Sequence, residues 1–536
     1  LRNHNPFGKK ARTYLLEYEM SRHLIGFMIV LSMLLATSSF ALEIPQMSGW
    51  PLEVAASPYF SDMHGLVMAD IDGDQDLEII VATSGEQLHA YEYDGTNIFT
   101  VNLSGLSTGP AAVGDVTGDE LPEIVVGTRD ETGGSPTPKI YIISGTGAIL
   151  KQAATPHGGA IGSSPTLVNL DADDKLEILV GEQGTQSGWL YALDGDLQAI
   201  GGWPVTLDHV PATSAAAGDI DGDGQMEVVV CSFNSLYAFE ANGSVIAGFP
   251  VTIANENYSY GSPALADING NGKLEILTTT HGSFNNLHVF QYDGSELSGF
   301  PYSLGDAWSF SSPAVGDIDH NGDLEIVVGR AGGSIADENL FVINHDGTDF
   351  GSFPYNMVGG AEGNFVLADI TGDSNLEILF ANNIYDVDDN GYLFAIDHGG
   401  NMLDGWPVCP AGMTYMNGPS LADVNHDGVP EIGVMGVTNS IQTASINLYS
   451  YDGYDFGAGG VHWQTSQADN QHTGWYNPSF PADDDDDDND DDTSDDDDDT
   501  SGDDDDNDSD DDDDDNDSDH LPDGDDDDDD DSGCCG

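Results

Sequence analysis

Residues 70–78 read Asp-Ile-Asp-Gly-Asp-Gln-Asp-Leu-Glu, and seven related phrases follow this one along the chain. They are DVTGDELPE from Asp115, NLDADDKLE from Asn169, DIDGDGQME from Asp219 and DINGNGKLE from Asp267, then DIDHNGDLE from Asp317, DITGDSNLE from Asp369 and DVNHDGVPE from Asp423. Their spacing is about 50 residues, within the period range of propellers and solenoids. The body of the chain is therefore an array of one unit, and its function has to be sought in the array.

Around each phrase the unit has the same parts. Before it comes a small-residue segment such as SPTLVN from Ser164 or SPAVGD from Ser312; after it comes a β-branched run such as EIIVAT from Glu78 or EVVVCS from Glu227. Next is an alternating aromatic segment closed by a tight-turn pair, as in LHAYEYDG from Leu88 or LYAFEANG from Leu236. Last comes an aromatic–Pro segment, as in GGWPVTL from Gly201 or SGFPYSL from Ser298. Proline cannot donate to a ladder, so this is the outermost strand. Four antiparallel strands at this period predict a propeller blade. The eighth unit has no aromatic–Pro segment after LYSYDG, whereas SGWPLEV at Ser48 stands alone before the first unit. An all-β, eight-bladed propeller of four-stranded antiparallel blades, closed by the N-terminal strand, accounts for both facts.

The phrases predict metal loops. Position one is Asp70, Asp115, Asn169, Asp219, Asp267, Asp317, Asp369 or Asp423. Position three is Asp72, Thr117, Asp171, Asp221, Asn269, Asp319, Thr371 or Asn425. Position five is Asp74, Asp119, Asp173, Asp223, Asn271, Asn321, Asp373 or Asp427. Position nine is Glu78, Glu123, Glu177, Glu227, Glu275, Glu325, Glu377 or Glu431. Calcium takes six to eight oxygen ligands, and acidic residues at alternate positions of a loop wrap it in that way. One ion per blade loop is expected. Loop five, whose only carboxylates are Asp267 and Glu275, is expected to bind weakest or to stay empty.

These residues resemble the FG-GAP (VCBS-type) repeat family of calcium-binding β-propellers, which includes integrin α-subunit heads and many secreted bacterial proteins. The resemblance spans about residues 48–478. It implies that positions one, three, five and nine are the ligands, with Thr117 and Thr371 departing from the pattern and weakening their loops. The FG…GAP letters are blurred into YGSPALAD and FSSPAVGD. The closing segment WQTSQADNQHTGWY, from Trp463, is similar to the terminal segment of bacterial members. Membership implies surface or extracellular binding and names no ligand.

The ends are of different material. Residues 1–19 read as upstream translation, and 20–41 as a signal peptide: Arg22 and His23, the apolar run Leu24–Ala36, then Ser39-Phe40-Ala41. That run is too short to span a bilayer. Residues 42–478 form the propeller. Residues 479–536 are expected to be a disordered Asp-rich tail, with 35 Asp between Asp483 and Asp531 and Cys534-Cys535 at its end. Between the two ends, 59 acidic residues face six basic ones: Arg129, Lys139, Lys151, Lys175, Lys273 and Arg330. Nucleic acid and anionic membrane surfaces both need cationic surface, so neither is an expected partner.

On the side of the ring away from the phrases, the loops carry Tyr258, Tyr260, Trp308, Phe310, Phe365 and Tyr415. Of these, Tyr258, Tyr260, Trp308 and Tyr415 are the candidate ligand-binding residues. The competing expectation is that such rings fill the centre or pack between blades. No GxSxG, HExxH, Walker A or metal-spaced CxxC motif is present. The leading expectation is a non-enzymatic, monomeric adhesion or recognition module at a bacterial surface, binding a glycan or protein. An extracellular polysaccharide lyase or hydrolase is the alternative, favoured if Arg129, Asp130 and Arg330 converge in one cleft. A quinone-dependent dehydrogenase is the third, faintly suggested by LYALDG from Leu190.

Overall fold

The aromatic–Pro segment that opens the chain's body pairs with its last unit. Leu52–Ala55 runs antiparallel to Thr443–Ser450, with Leu52 opposite Ile446 and Val54 opposite Ala444. The eighth sheet is thus built from Ser420–Ala422, Glu431–Val437 and Thr443–Ser450 plus the N-terminal strand. The computed structural model describes residues 44–57, 65–130, 137–171, 173, 175–184, 187–211, 213–258, 260–437, 443–451 and 460–477. The upstream segment, signal peptide and Asp tail expected at the ends, with Cys534 and Cys535, lie outside them.

Eight small antiparallel sheets form a propeller ring, and the described residues include no helix. No helix among them is long and apolar enough to cross a membrane. Each acidic phrase joins a three- or four-residue inner strand to a second strand that is buried over all or nearly all of its length, as Val67–Ala69 to Glu78–Thr83. Both faces of a blade are covered by neighbouring blades, which is why the second strands read as continuous β-branched runs. In blades four and seven the outer strand is reduced to single bridges, Leu236 to Val251 and Leu393 to Val408. The core is a set of layers between blades. Ile80, Val101, Val126 and Tyr141 fill the layer between blades one and two. Val54, Val81, Met435 and Ile446 fill the layer that closes the ring.

Neighbouring blades are locked by the aromatic–Pro turn. Gly202 has φ +95°, and a Cβ there would lie 1.8 Å from the carbonyl oxygen of Asn242 in the next blade. Only glycine allows that approach. The adjacent Trp203 donates its indole N–H to the Ala241 carbonyl at 2.8 Å. Trp50 repeats the contact across the closure, donating to Tyr93 at 2.7 Å.

The centre of the ring is filled by the segment that follows the last blade. Val461–Trp463 pairs with the inner strand Phe365–Ala368. From there the chain passes the other inner strands and accepts the backbone N–H of the middle residue from five of them. Leu421 donates to Gln464, Val113 to Asn470, Leu167 to Gln471, Ala217 to Thr473 and Leu265 to Gly474, at 2.7–3.1 Å. Asn470 Nδ2 donates to the Met68 carbonyl at 2.7 Å, reaching blade one. An inner strand has no sheet neighbour toward the axis, so these N–H groups need a partner from elsewhere. The plug supplies it.

Candidate metal centres and the face opposite them

The eight phrases fold alike because three positions bind the loop's own backbone. The position-nine glutamate accepts the position-two N–H through Oε2 in every loop, from Ile71 to Glu78 at 2.9 Å through Val424 to Glu431 at 3.2 Å. That bond ties the start of the loop to the second strand. The position-one aspartate accepts several N–H groups; Asp219 takes those of Gly222, Asp223 and Gly224 at 2.8–3.0 Å. Position five caps position seven, as Asp74 does Asp76 and Asn321 does Asp323. These side chains hold the turn whether or not an ion is bound.

Position three separates two kinds of loop. Where it is Asp, the ligand oxygens of positions one or five, three and nine lie within 4.8 Å of one another. This holds for Asp70, Asp72 and Glu78, for Asp171, Asp173 and Glu177, for Asp219, Asp221 and Glu227, and for Asp317, Asp319 and Glu325. These four clusters can hold metal ions. In them Glu78 Oε1, Asp221 Oδ1 and Asp319 Oδ1 are out of solvent with no hydrogen-bond partner. An oxygen left so is costly unless a cation takes it, and an all-oxygen anionic donor set suits a hard divalent ion.

Where position three is Thr, and in loop five where it is Asn269, its side chain takes the cation's place. Thr117 Oγ1 donates to Glu123 Oε1 at 3.0 Å, and Thr371 Oγ1 to Glu377 Oε1 at 3.4 Å. Asn269 Nδ2 donates to Glu275 Oε1. Loop eight belongs to neither kind: the Asn425 amide turns to Asp427 at 3.1 Å, and Glu431 Oε1 has no hydrogen-bond partner.

Burial is the main cause that raises the position-nine carboxyls, with the neighbouring aspartates adding to it and the position-two N–H opposing it. Glu78, Glu227, Glu325 and Glu377 are pushed up to about 8, and Glu177, Glu275 and Glu431 to about 7. Asp72 is raised by its own burial and by Asp74 and Asp70. Carboxylates this close stay ionised together only beside positive charge.

A model of the FG-GAP-like repeat matches residues 70–126, 169–230, 219–278 and 267–328, each match starting at an acidic phrase. With eight such units in a closed ring, the assignment follows. The chain is an eight-bladed β-propeller that carries FG-GAP-like repeats. No curated protein matches it by sequence. Among solved structures, the biofilm matrix protein Bap1 of V. cholerae is similar over 82% of this chain and 94% of its own, with TM-score 0.54 and 14% identity. BamB of Moraxella catarrhalis covers 75% of this chain and 99% of its own (TM-score 0.46, 14% identity). The rhamnogalacturonan lyase YesW covers 81% and 80% (TM-score 0.48, 14% identity). At such identity the likeness is one of fold.

The opposite face of this propeller is formed by the loops between second and third strands and by the connections between blades. Six of the ten exposed large apolar side chains among the described residues lie there: Tyr260, Phe284, Trp308, Ile335, Val387 and Tyr415. All six fall between the fourth-to-fifth and the seventh-to-eighth connections, so one half of the ring carries them. Two expectations are corrected. Tyr258 is buried and donates its hydroxyl to the Val251 carbonyl at 2.9 Å, and Phe365 lies in the core. Tyr260, Trp308 and Phe310 come together around His281, which the sequence alone did not single out. Tyr415 sits apart, in the connection to blade eight. Arg129 and Arg330 lie in blades two and six.

Proposed function

We propose that the chain is a calcium-loaded recognition module, secreted to a cell surface, that binds a glycan or protein without transforming it. The gathering of exposed apolar side chains on the face away from the metal loops carries this reading, since patches of that kind mark interaction sites. Calcium is the ion that best suits the four carboxylate clusters, because they offer only hard oxygen donors and several charges. Its role there is to offset crowded carboxylates and hold each inner strand to its neighbour. The secretory leader read at residues 20–41 and the scarcity of basic residues fit an extracellular medium rich in that ion. The lyase or hydrolase alternative calls for Arg129, Asp130 and Arg330 in one cleft, and Arg129 and Arg330 stand in blades two and six.

The test is binding of the calcium-loaded chain to glycan arrays and to intact bacterial surfaces, beside a variant with Tyr260, Trp308 and Tyr415 changed to Ala. Binding that the triple variant loses supports the proposal. Binding to neither target, or binding that survives in the variant, overturns it.

A further inference from the structure

The aromatic half of the opposite face contains one assembled site. Tyr260 lies 12° from parallel with His281 at 6.1 Å, and 17° from parallel with Phe310 at 5.8 Å. Trp308 leans against His281 at 4.4 Å and 39°, and against Phe310 at 6.1 Å and 47°. Phe233 continues the row, edge-on to His281 at 5.5 Å and 5.2 Å from His209. Tyr260 is 44% and Trp308 45% exposed. Neutral amides border the row. Asn257 donates to the Phe233 carbonyl at 3.2 Å and lies beside Asn234 at 3.5 Å.

Charge decides what such a floor can take. Of the six basic residues of the body, five lie away from it. Lys151 is bound to Asp196 at 2.5 Å, Lys139 to Gln152 at 2.8 Å, and Lys273 lies 3.7 Å over Tyr292. Lys175 packs against Gly118 of the second acidic loop, and Arg129 belongs to blade two. The sixth, Arg330, adjoins Trp308 through the Ala331 N–H to Trp308 carbonyl bond of 2.7 Å. Its guanidinium is spent on Asp337 at 2.8 Å, Asn339 at 3.1 Å and the Leu304 carbonyl at 2.6 Å, and it is buried. Burial also lowers the pKa of His281, which disfavours its charged form. An anionic ligand would lose water here with no countercharge, inside the field of a strongly acidic protein.

Resting on the recognition reading above, we propose that Tyr260, Trp308, Phe310 and His281 form a stacking site for an uncharged glycan, and that uronate-bearing or otherwise anionic polysaccharides are excluded. A pyranose ring offers a flat C–H face to an aromatic ring, and its hydroxyls find amide partners at the rim. Trp308 and Tyr260 supply the exposed stacking faces. His281 and Phe310 hold them in place.

The experiment is affinity electrophoresis of the full chain in calcium buffer, through gels holding a neutral polysaccharide (mixed-linkage β-glucan, mannan, arabinoxylan or dextran) or an anionic one (polygalacturonate or hyaluronate). Retention by at least one neutral polymer and by neither anionic polymer is expected. Trp308→Ala and Tyr260→Ala should each weaken that retention about tenfold or more, while Trp308→Phe stays within a few-fold of the parent. Both Ala changes are at half-exposed positions, and an unchanged melting temperature shows that the fold is kept. Retention by the anionic polymers, or by none of the six, overturns the proposal. So does retention of a neutral polymer that Trp308→Ala leaves unchanged. If no polysaccharide is retained but a surface protein is captured through Trp308, the glycan assignment falls and the recognition reading stands.

Discussion

Asn269 gives its amide hydrogen to Oε1 of Glu275, the atom whose counterpart in Glu78 has no protein partner. The same loop frame thus occurs in one form that waits for a cation and in another that carries its own donor. Asn269→Asp removes the donor and adds a carboxylate, so it should convert loop five into an ion site. Metal analysis after dialysis against calcium should show about one more ion per chain than the parent. Asp72→Asn should show about one fewer. An unchanged count in both variants would mean that position three does not govern occupancy.

Thr117 serves Glu123 as Asn269 serves Glu275. Thr117→Ala leaves a buried carboxyl oxygen without its donor, which should cost about 1–3 kcal/mol in chemical denaturation. The cost should be the same with calcium or with chelator, since loop two does not rely on an ion. For loops one, three, four and six the reverse holds. Chelation should remove about 2.7 kcal/mol for each site that was held at a hundredfold excess over its dissociation constant. Calorimetry with and without chelator separates the two classes. A Thr117→Ala deficit that calcium repairs would contradict this account.

Repetition decided what could be read from the sequence. Strand order, the loop frame and the ring closure each recur or complete a pattern, so Ser48–Val54 could be matched to the unit that lacks it. The plug occurs once and has no second copy to be compared with; nothing in Gln464–Tyr476 marks it as the partner of five inner strands. The aromatic face shows a smaller failure of the same kind. Tyr258 and Tyr260 are two residues apart, which in one strand would put them on one side. The strand Glu256–Tyr258 ends between them, so one ring is in the core and the other in solvent. His281 was passed over because its role comes from Trp308 and Tyr260 on other loops, a proximity that only the fold creates.

Closure should behave as an ordinary blade junction in the folded state. Trp50 and Trp203 make matching contacts: an indole bond to the next blade, and an edge-to-face ring at 6.0 Å from Tyr91 or 5.8 Å from Phe239. Either Trp→Ala change should cost about 3–5 kcal/mol. Only Trp50→Ala frees a chain end, so limited proteolysis should cut residues 44–57 in that variant and leave the Trp203→Ala body intact. Equal resistance in both would show that the N-terminal strand is held by its ladder alone.

The plug is testable through Gly474. Its φ is +67°, and a Cβ there would stand 3.0 Å from Ala216 Cβ and from the Pro263 carbonyl oxygen. Gly474→Val combines a disfavoured backbone with a close contact on two inner strands and should destabilise by about 2–4 kcal/mol. A variant melting with the parent would show that the segment does not contribute to ring stability.

Asp469 gives the plug a pH signature. Burial raises its carboxyl to about 6 from 3.8, against hydrogen bonds from the Thr473 amide and hydroxyl that lower it. Between pH 4 and 6 the folded chain therefore holds a proton that the unfolded chain has released. Stability from this group is complete below about pH 4, declines as pH rises through 6, and stays lost above it. Asp469→Asn is neutral throughout and can keep both bonds to Thr473, its oxygen accepting the amide and its nitrogen donating to the hydroxyl. The melting temperature of the variant minus that of the parent should rise from pH 4 to 6 and level off by pH 7. The difference cancels the many other carboxyls that titrate in this range, since both chains share them. A difference that is flat, or that falls with pH, would mean that Asp469 is ionised in the folded plug.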